Sequence, residues 1–357
     1  MSFHSLFDNF SDIIPIPLAK GMTIEHLVRY MGQTSFEARK LYRGAELFKT
    51  MIMENDVIWL GIAGAGIAGG MGGMVTSLME AGYIDVICST GAQVYHDLHF
   101  AFGLPVKSIH PNFDDNQLRK HGDTRIYDIG IREVETLQAQ DKIIQKFIKD
   151  DYEALSSSEL SSWEFNYRLG KWTKQNASHP ERSFVVSAYE SGVPIFWDSL
   201  SNHSIAMNLS LTDREGYPLH LSGQKDIFDS AAITYASGGT SFMELGGGGP
   251  KNFIQQTGPT ISQILSIEFE GADRGLQIGT ALEREGSLSG CTFGEAVTWG
   301  KYREDDPDKL VQIWAEYSLV FPLLCSYVLE LCPARKKNNI CEKIAHQREE
   351  LEKARIT

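Results

Sequence analysis

VIWLGIAGAGIAGGMGG (57–73) decides the fold. Val57 to Gly64 is an apolar run of strand length, and it feeds directly into a cluster of glycines. A helical stretch follows, and then IDVICST (84–90) reads as a second buried strand. Strand, glycine turn, helix and strand within about 30 residues make a βαβ unit, which requires a parallel sheet. Such glycines let backbone N–H groups approach a pyrophosphate at a helix N-terminus. Tight packing of strand on helix, with no ligand, is the competing explanation. The usual dinucleotide fingerprint is not met, because no acidic residue ends the second strand and Asp85 lies within it.

A second glycine loop, LGGGGPK (245–251), also follows an apolar run, SFMEL (241–245). Each glycine costs roughly 0.5–1 kcal/mol of backbone entropy relative to alanine, so four in succession need a reason. Anion cradling is one reason, and a bare tight turn is the other. Two such loops predict a dinucleotide across the carboxyl edge of the sheet. Further strands are expected at VPIFW (193–197), ITYAS (233–237), QIGTA (277–281) and KLVQIWA (309–315). The helix LVFPLLCSYVLEL follows the last of them. Residues 1–56 read as an N-terminal helical segment, with Ser35 placed to cap a helix from Phe36 to about Met53. Residues 57–335 then form one α/β domain, and 336–357 a polar tail, either a solvated helix or a frayed end. GDTRIYDIGI (122–131) receives no role.

The 357 residues carry a formal charge of −13, which argues against nucleic acid, since phosphate contacts need a basic surface. An acidic protein suits cationic substrates such as polyamines, although weakly as an indicator. Five cysteines, Cys88, Cys291, Cys325, Cys332 and Cys341, form no CxxC pair, so a reduced, cytoplasmic chain is expected. The first fifteen residues lack the basic start and unbroken apolar run of a secretory signal. No stretch is long enough to span a membrane. His96 and His99 are not joined by enough further ligands to hold a metal, and none is expected.

EAVTWGK (295–301) carries Glu295, Trp299 and Lys301. Glu295 and Trp299 are four apart and share a helical face. At roughly 100° per residue, Lys301 would point about 200° from Trp299 on a continuous helix. All three face one pocket only if the helix ends near Gly300 or the pocket is an interface. Read without other information, Lys301 is a surface lysine. The stretch CTFGEAVTWGKYREDDPDKLVQIWAEYSLVFPLL (291–324) closely resembles the C-terminal signature of the deoxyhypusine synthase family. EAVTWGK and SLVFPLL (318–324) match that family's pattern nearly letter for letter. LGGG (245–248), VIWLGIAGAGIAGG, YIDVICSTGA and GVPIF (192–196) occupy the corresponding places in order.

The resemblance implies a Rossmann-like α/β fold, a parallel sheet flanked by helices, with NAD as cofactor. It also implies a homotetramer with active sites between subunits. Members of that family dehydrogenate spermidine, hold its butylamine unit as a lysine imine, and deliver it to an acceptor amine. By position, Lys301 resembles the imine lysine, Glu295 a holder of the substrate ammonium, and Trp299 a cover for its methylene chain. Thr90, Gly246, Gly247, Thr280 and Ala281 align with cofactor contacts, as does the first loop around Gly64, and Glu285 replaces an aspartate.

The departures fall on substrate and cofactor recognition. A family histidine, the presumed proton-transfer group, is Asn252 here, and asparagine is no base near neutrality. Leu288 stands at a substrate-binding aspartate, while Asn202 and Met207 replace two more. Ala65 and Ala68 take the place of polar cofactor contacts, and His96 that of an acidic ribose contact. Glu295 is the one obvious carboxylate left, with Asp198 and Glu244 weaker candidates. The function that follows is NAD-dependent transfer of an aminoalkyl group, through Lys301, to a small diamine or a protein lysine. A simple NAD-dependent amine dehydrogenase, or a non-catalytic or nucleotide-binding homologue, are the alternatives.

Overall fold

The computed structural model describes residues 6–356. Nine strands occur among them: β1 Val57–Ile62, β2 Val86–Ser89, β3 Val106–Ser108, β4 Asp123–Ile126, β5 Ile129–Arg132, β6 Ile195–Trp197, β7 Thr240–Leu245, β8 Arg274–Gly279 and β9 Leu310–Trp314. Six of them form one sheet in the order β6-β2-β1-β7-β8-β9, every pair parallel. Because helices cover both faces, β1 and β7 are buried almost along their whole length. The chain winds outward through β1, β2 and β6, then returns to lay β7 on the other side of β1. The order therefore reverses between β1 and β7, and a crevice opens outside their carboxyl ends. Both glycine loops leave the sheet there.

Five expectations change. ITYAS (233–237) is not a strand, because the helix Gly223–Tyr235 runs through it, capped where Ser222 Oγ accepts from Lys225 N. A short apolar run does not distinguish a buried helix from a strand, and here Ala231 and Ala232 cluster with Ile261 and Leu351 of other helices, while Ile233 clusters with Trp59 and Phe242 of the sheet. The N-terminal region is helical only over Ile24–Met31 and Phe36–Met53. Residues 6–23 are not helical, and residues 1–5 lie outside the described residues. Ser35 does hold the cap position, but its hydroxyl makes no capping bond. Asp85 precedes β2 at the amino edge, where it accepts from Ile58 N and pairs with Arg335 at 2.8 Å.

The C-terminal stretch forms the helix Ile340–Ile356 and is not frayed. It buries Ile340, Ile344 and Leu351, and Arg348 pairs with the fully buried Asp229 of the helix Gly223–Tyr235. GDTRIYDIGI becomes a hairpin, β4–β5, extended by β3 into a small antiparallel sheet. No helix among the described residues is long and apolar enough to cross a membrane.

Candidate active site

The residues around Lys301 meet because a helix stops early. Thr292 Oγ1 accepts from Glu295 N to start the helix Phe293–Thr298, which ends after little more than one turn. Gly300 then adopts φ +68°, a conformation that suits glycine, and reverses the chain. The 200° separation of a continuous helix is thereby removed. Glu295, Trp299 and Lys301 line one cavity of about 560 Å³, together with Asn252 and Leu288.

Lys301 is half-buried, and its Nζ donates to Asn252 Oδ1 at 3.3 Å. Asn252 belongs to the helix Gly248–Gln255, which starts from the second glycine loop. Burial holds the Lys301 amine below the ordinary lysine range, and the neighbouring Lys251 cation adds to that effect. Cys291, Glu244 and Glu295 pull in the opposite direction. Asn252, at the histidine position, is thus within hydrogen-bond reach of the amine, as an acceptor and not as a base.

Beneath this amine lies a polar core of which sequence reasoning named only Glu244, as a weaker candidate carboxylate. Glu244 of β7 and Gln277 of β8 are register partners in the centre of the sheet, and both are buried. Lys251 Nζ donates to Gln277 Oε1 at 2.9 Å and to Cys291 O at 2.7 Å, and lies 3.9 Å from Glu244 Oε2. Gln255 and Tyr302 both donate to Glu244 Oε1, at 2.7 and 3.1 Å. Burial pushes the Glu244 carboxyl up, against the pull of Lys251. One signal was available. A lysine in the first turn of a helix opposes the macrodipole, so Lys251 in LGGGGPK needs a buried acceptor to justify it.

The expected cofactor residues lie along the carboxyl edge of four adjacent strands. Gly64 follows β1, Thr90 follows β2, Gly246 and Gly247 follow β7, and Thr280 and Ala281 follow β8. Ala65 and Ala68 line a separate groove of about 530 Å³ at the first glycine loop, which also includes Gly66, Tyr127 and Tyr317. Several features fit a dinucleotide at this edge. Gly64 and Gly246 have φ +76° and +82°. The Thr90 hydroxyl, at the N-cap of the helix Gly91–Ala101, is buried and without a hydrogen-bond partner among the described residues. Buried polar atoms of this kind ordinarily find a partner, which a polar group of a ligand at this edge would supply.

Other candidates are placed elsewhere. Glu285 turns back to accept from Leu282 N, while Glu283 lines the cavity instead. His96 is spent on His99, nitrogen to nitrogen at 3.0 Å, and no cluster of metal-binding side chains occurs among the described residues. Asn202 and Met207 are exposed. Asp198 abuts Gly249, where a β-carbon would stand 1.9 Å from Oδ2.

The deoxyhypusine synthase family model matches residues 26–328. The chain belongs to the deoxyhypusine synthase family. A deoxyhypusine synthase-like protein of Thermosynechococcus vestitus is 31% identical over 353 residues, covering 95% of this chain and 86% of that one. A probable deoxyhypusine synthase 2 of Methanosarcina mazei is 35% identical over 322 residues, covering 90% of each. The crystal structure of a putative deoxyhypusine synthase from Entamoeba histolytica shares the fold, with TM-score 0.58 at 18% identity over 89% of this chain and 96% of that one. Membership in the deoxyhypusine synthase family supports a transferase of aminobutyl groups as the general class of chemistry.

Proposed function

We propose that this protein is an NAD-dependent transferase that moves an aminoalkyl group from a polyamine or related amine, through an imine on Lys301, to an acceptor amine. The observation that carries this reading is the half-buried Lys301 amine, held below its ordinary range beside Asn252 in a cavity that Lys251, at the end of the second glycine loop, also lines. Bound NAD would take up a hydride from the carbon beside the donor's nitrogen and return it at the end. Gly64, Ala65, Ala68, Thr90, Gly246, Gly247, Thr280 and Ala281 are the residues that would hold it.

The chain's own part is nucleophilic. With the donor carbon oxidised to an imine, neutral Lys301 adds to that carbon. The donor's departing amine leaves with a proton, and the carbon remains doubly bonded to the Lys301 nitrogen. The acceptor amine repeats the exchange and frees Lys301. Glu295 would pair with the donor ammonium, and Trp299 would lie along its methylenes, where a cation–π contact is worth about 0.5–2 kcal/mol. Asn252 accepts from the lysine nitrogen and orients it, and protons must pass through the reacting amines or water. With Leu288 at an aspartate position, only Glu283 and Glu295 offer carboxylates among the cavity's lining residues. That favours a small amine over a long triamine as the donor, and a small diamine as acceptor.

The test is spectroscopic. With NAD and a panel of di- and polyamines, a new aminoalkylated product should form without net NADH absorbance, because the hydride is returned. Stoichiometric NADH with no coupled product would identify an amine dehydrogenase and reject transfer.

The same reading includes a homotetramer with sites between subunits. Ile264, Leu288 and Trp299, which line the cavity, and the nearby Leu282 are 70%, 51%, 63% and 52% exposed. Apolar groups left open around the cavity support a surface that another chain covers. Light scattering on the purified protein should give about four times the 39.8 kDa chain mass. A monomer at micromolar concentration would refute this.

A further inference from the structure

The first glycine cluster has an occupant of its own. Tyr317 begins the helix Tyr317–Leu331, and its hydroxyl donates to Ala63 O at 2.9 Å, at the end of β1. The ring lies across both glycine loops. A β-carbon at Gly64 would meet the Tyr317 oxygen at 3.1 Å, and one at Gly246 would meet ring carbon Cε1 at 3.8 Å. Gly66 is the most telling position. Its backbone is right-handed helical, φ −58° and ψ −39°, so glycine is not needed there for conformation. A β-carbon at Gly66 would meet the Tyr317 hydroxyl at 2.8 Å and Cε2 at 2.9 Å. Its missing side chain makes room for the ring.

We propose that Tyr317 is the gate of the cofactor crevice, closed when its hydroxyl rests on Ala63 O and open when the ring swings toward solvent. This rests on the reading of that crevice as a dinucleotide site. The closed ring occupies the switch point between the β1 and β7 loops, which is where the middle of a dinucleotide would lie. The strap that carries it is tied to the end of β8 before the ring and capped locally at the helix start. Ala315 N donates to Gly279 O at 3.1 Å, and Ser318 N to Glu316 Oε2 at 3.0 Å. The half-buried ring faces a solvent-accessible groove lined by Tyr127 and Ser318, so it has somewhere to go.

A gate that is mostly closed lowers apparent affinity by the open fraction. Tyr317→Phe loses the bond to Ala63 O and should tighten NAD binding roughly threefold to tenfold, the range one neutral hydrogen bond is worth. Tyr317→Ala should tighten it at least as much and speed association. Calorimetry on the full-length protein, with stopped-flow mixing, reads both without any turnover. NAD binding to the variants more tightly and faster than to wild type, or to the variants alone, supports the gate. Equal or weaker binding by variants of unchanged thermal midpoint overturns the gate and leaves the cofactor site standing. Binding to no form overturns both. If Tyr317→Ala does not fold, Tyr317→Phe carries the same comparison. Independently, Gly66→Ala should lower the thermal midpoint and Gly66→Ala/Tyr317→Ala should recover it. A Gly66→Ala protein as stable as wild type would show that the ring does not fill the crevice.

Discussion

Lys301→Ala is expected to lower aminoalkyl transfer on the order of 10⁴-fold or more, as deletion of a covalent nucleophile does elsewhere. The adduct trapped by borohydride from NAD and a radiolabelled polyamine should vanish with it. Lys301→Arg should be equally inactive, because a guanidinium keeps its proton throughout the accessible range. The pH dependence follows from the site. The neutral amine is the reactive form, so trapping rises with pH through the Lys301 midpoint. Burial and the Lys251 cation lower that midpoint, so the rise should be centred below the ordinary lysine value of about 10.4. Equal trapping in wild type and Lys301→Ala would end the proposal that an imine forms on this residue.

Lys251→Met is expected to produce two separable losses. Its ammonium is 2% exposed and faces Glu244, itself 1% exposed, across 3.9 Å. Removing the cation leaves a buried carboxylate without its counter-charge, at a cost of roughly 3–5 kcal/mol, visible as a lower thermal midpoint. Lys251→Met/Glu244→Gln should recover most of that stability, since no lone charge remains and glutamine still accepts from Gln255 and Tyr302. The second loss is electrostatic. Lys251 lowers the Lys301 midpoint, so its removal should shift the pH profile of trapping to higher pH. Thermal unfolding and the trapping profile are measured on the same samples. An unchanged midpoint in both would mean that Lys251 neither supports the sheet nor tunes the nucleophile.

How much of this was legible in sequence depends on the range of the interaction. Local order was readable where one pattern admitted one structure. VIWLGIAGAGIAGGMGG prescribed strand, turn and helix, and SFMEL before four glycines prescribed the same, so the parallel sheet followed. ITYAS misled because four or five buried apolar residues satisfy a helix as well as a strand, and only their neighbours choose. The tail misled because Ile340, Ile344 and Leu351 are sparse among charges, and the partner that rewards their burial is a helix more than a hundred residues earlier.

By itself, then, the sequence determined the α/β class, the two glycine turns and the family to which EAVTWGK belongs. Those are properties of short segments and of near-literal motif identity. Tertiary structure alone decided that Glu295, Trp299 and Lys301 face one cavity, because Gly300 ends the helix before the angular drift can separate them. It alone decided that Glu244, Gln277 and Lys251 form one buried network, since strand register, not spacing in sequence, makes them neighbours. And it alone decided that Tyr317 fills the glycine crevice. A side chain about 250 residues away makes the tightest contacts that a β-carbon at Gly66 would meet, ahead of the nearby Met71 sulfur, and no local rule relates the ring to the glycine.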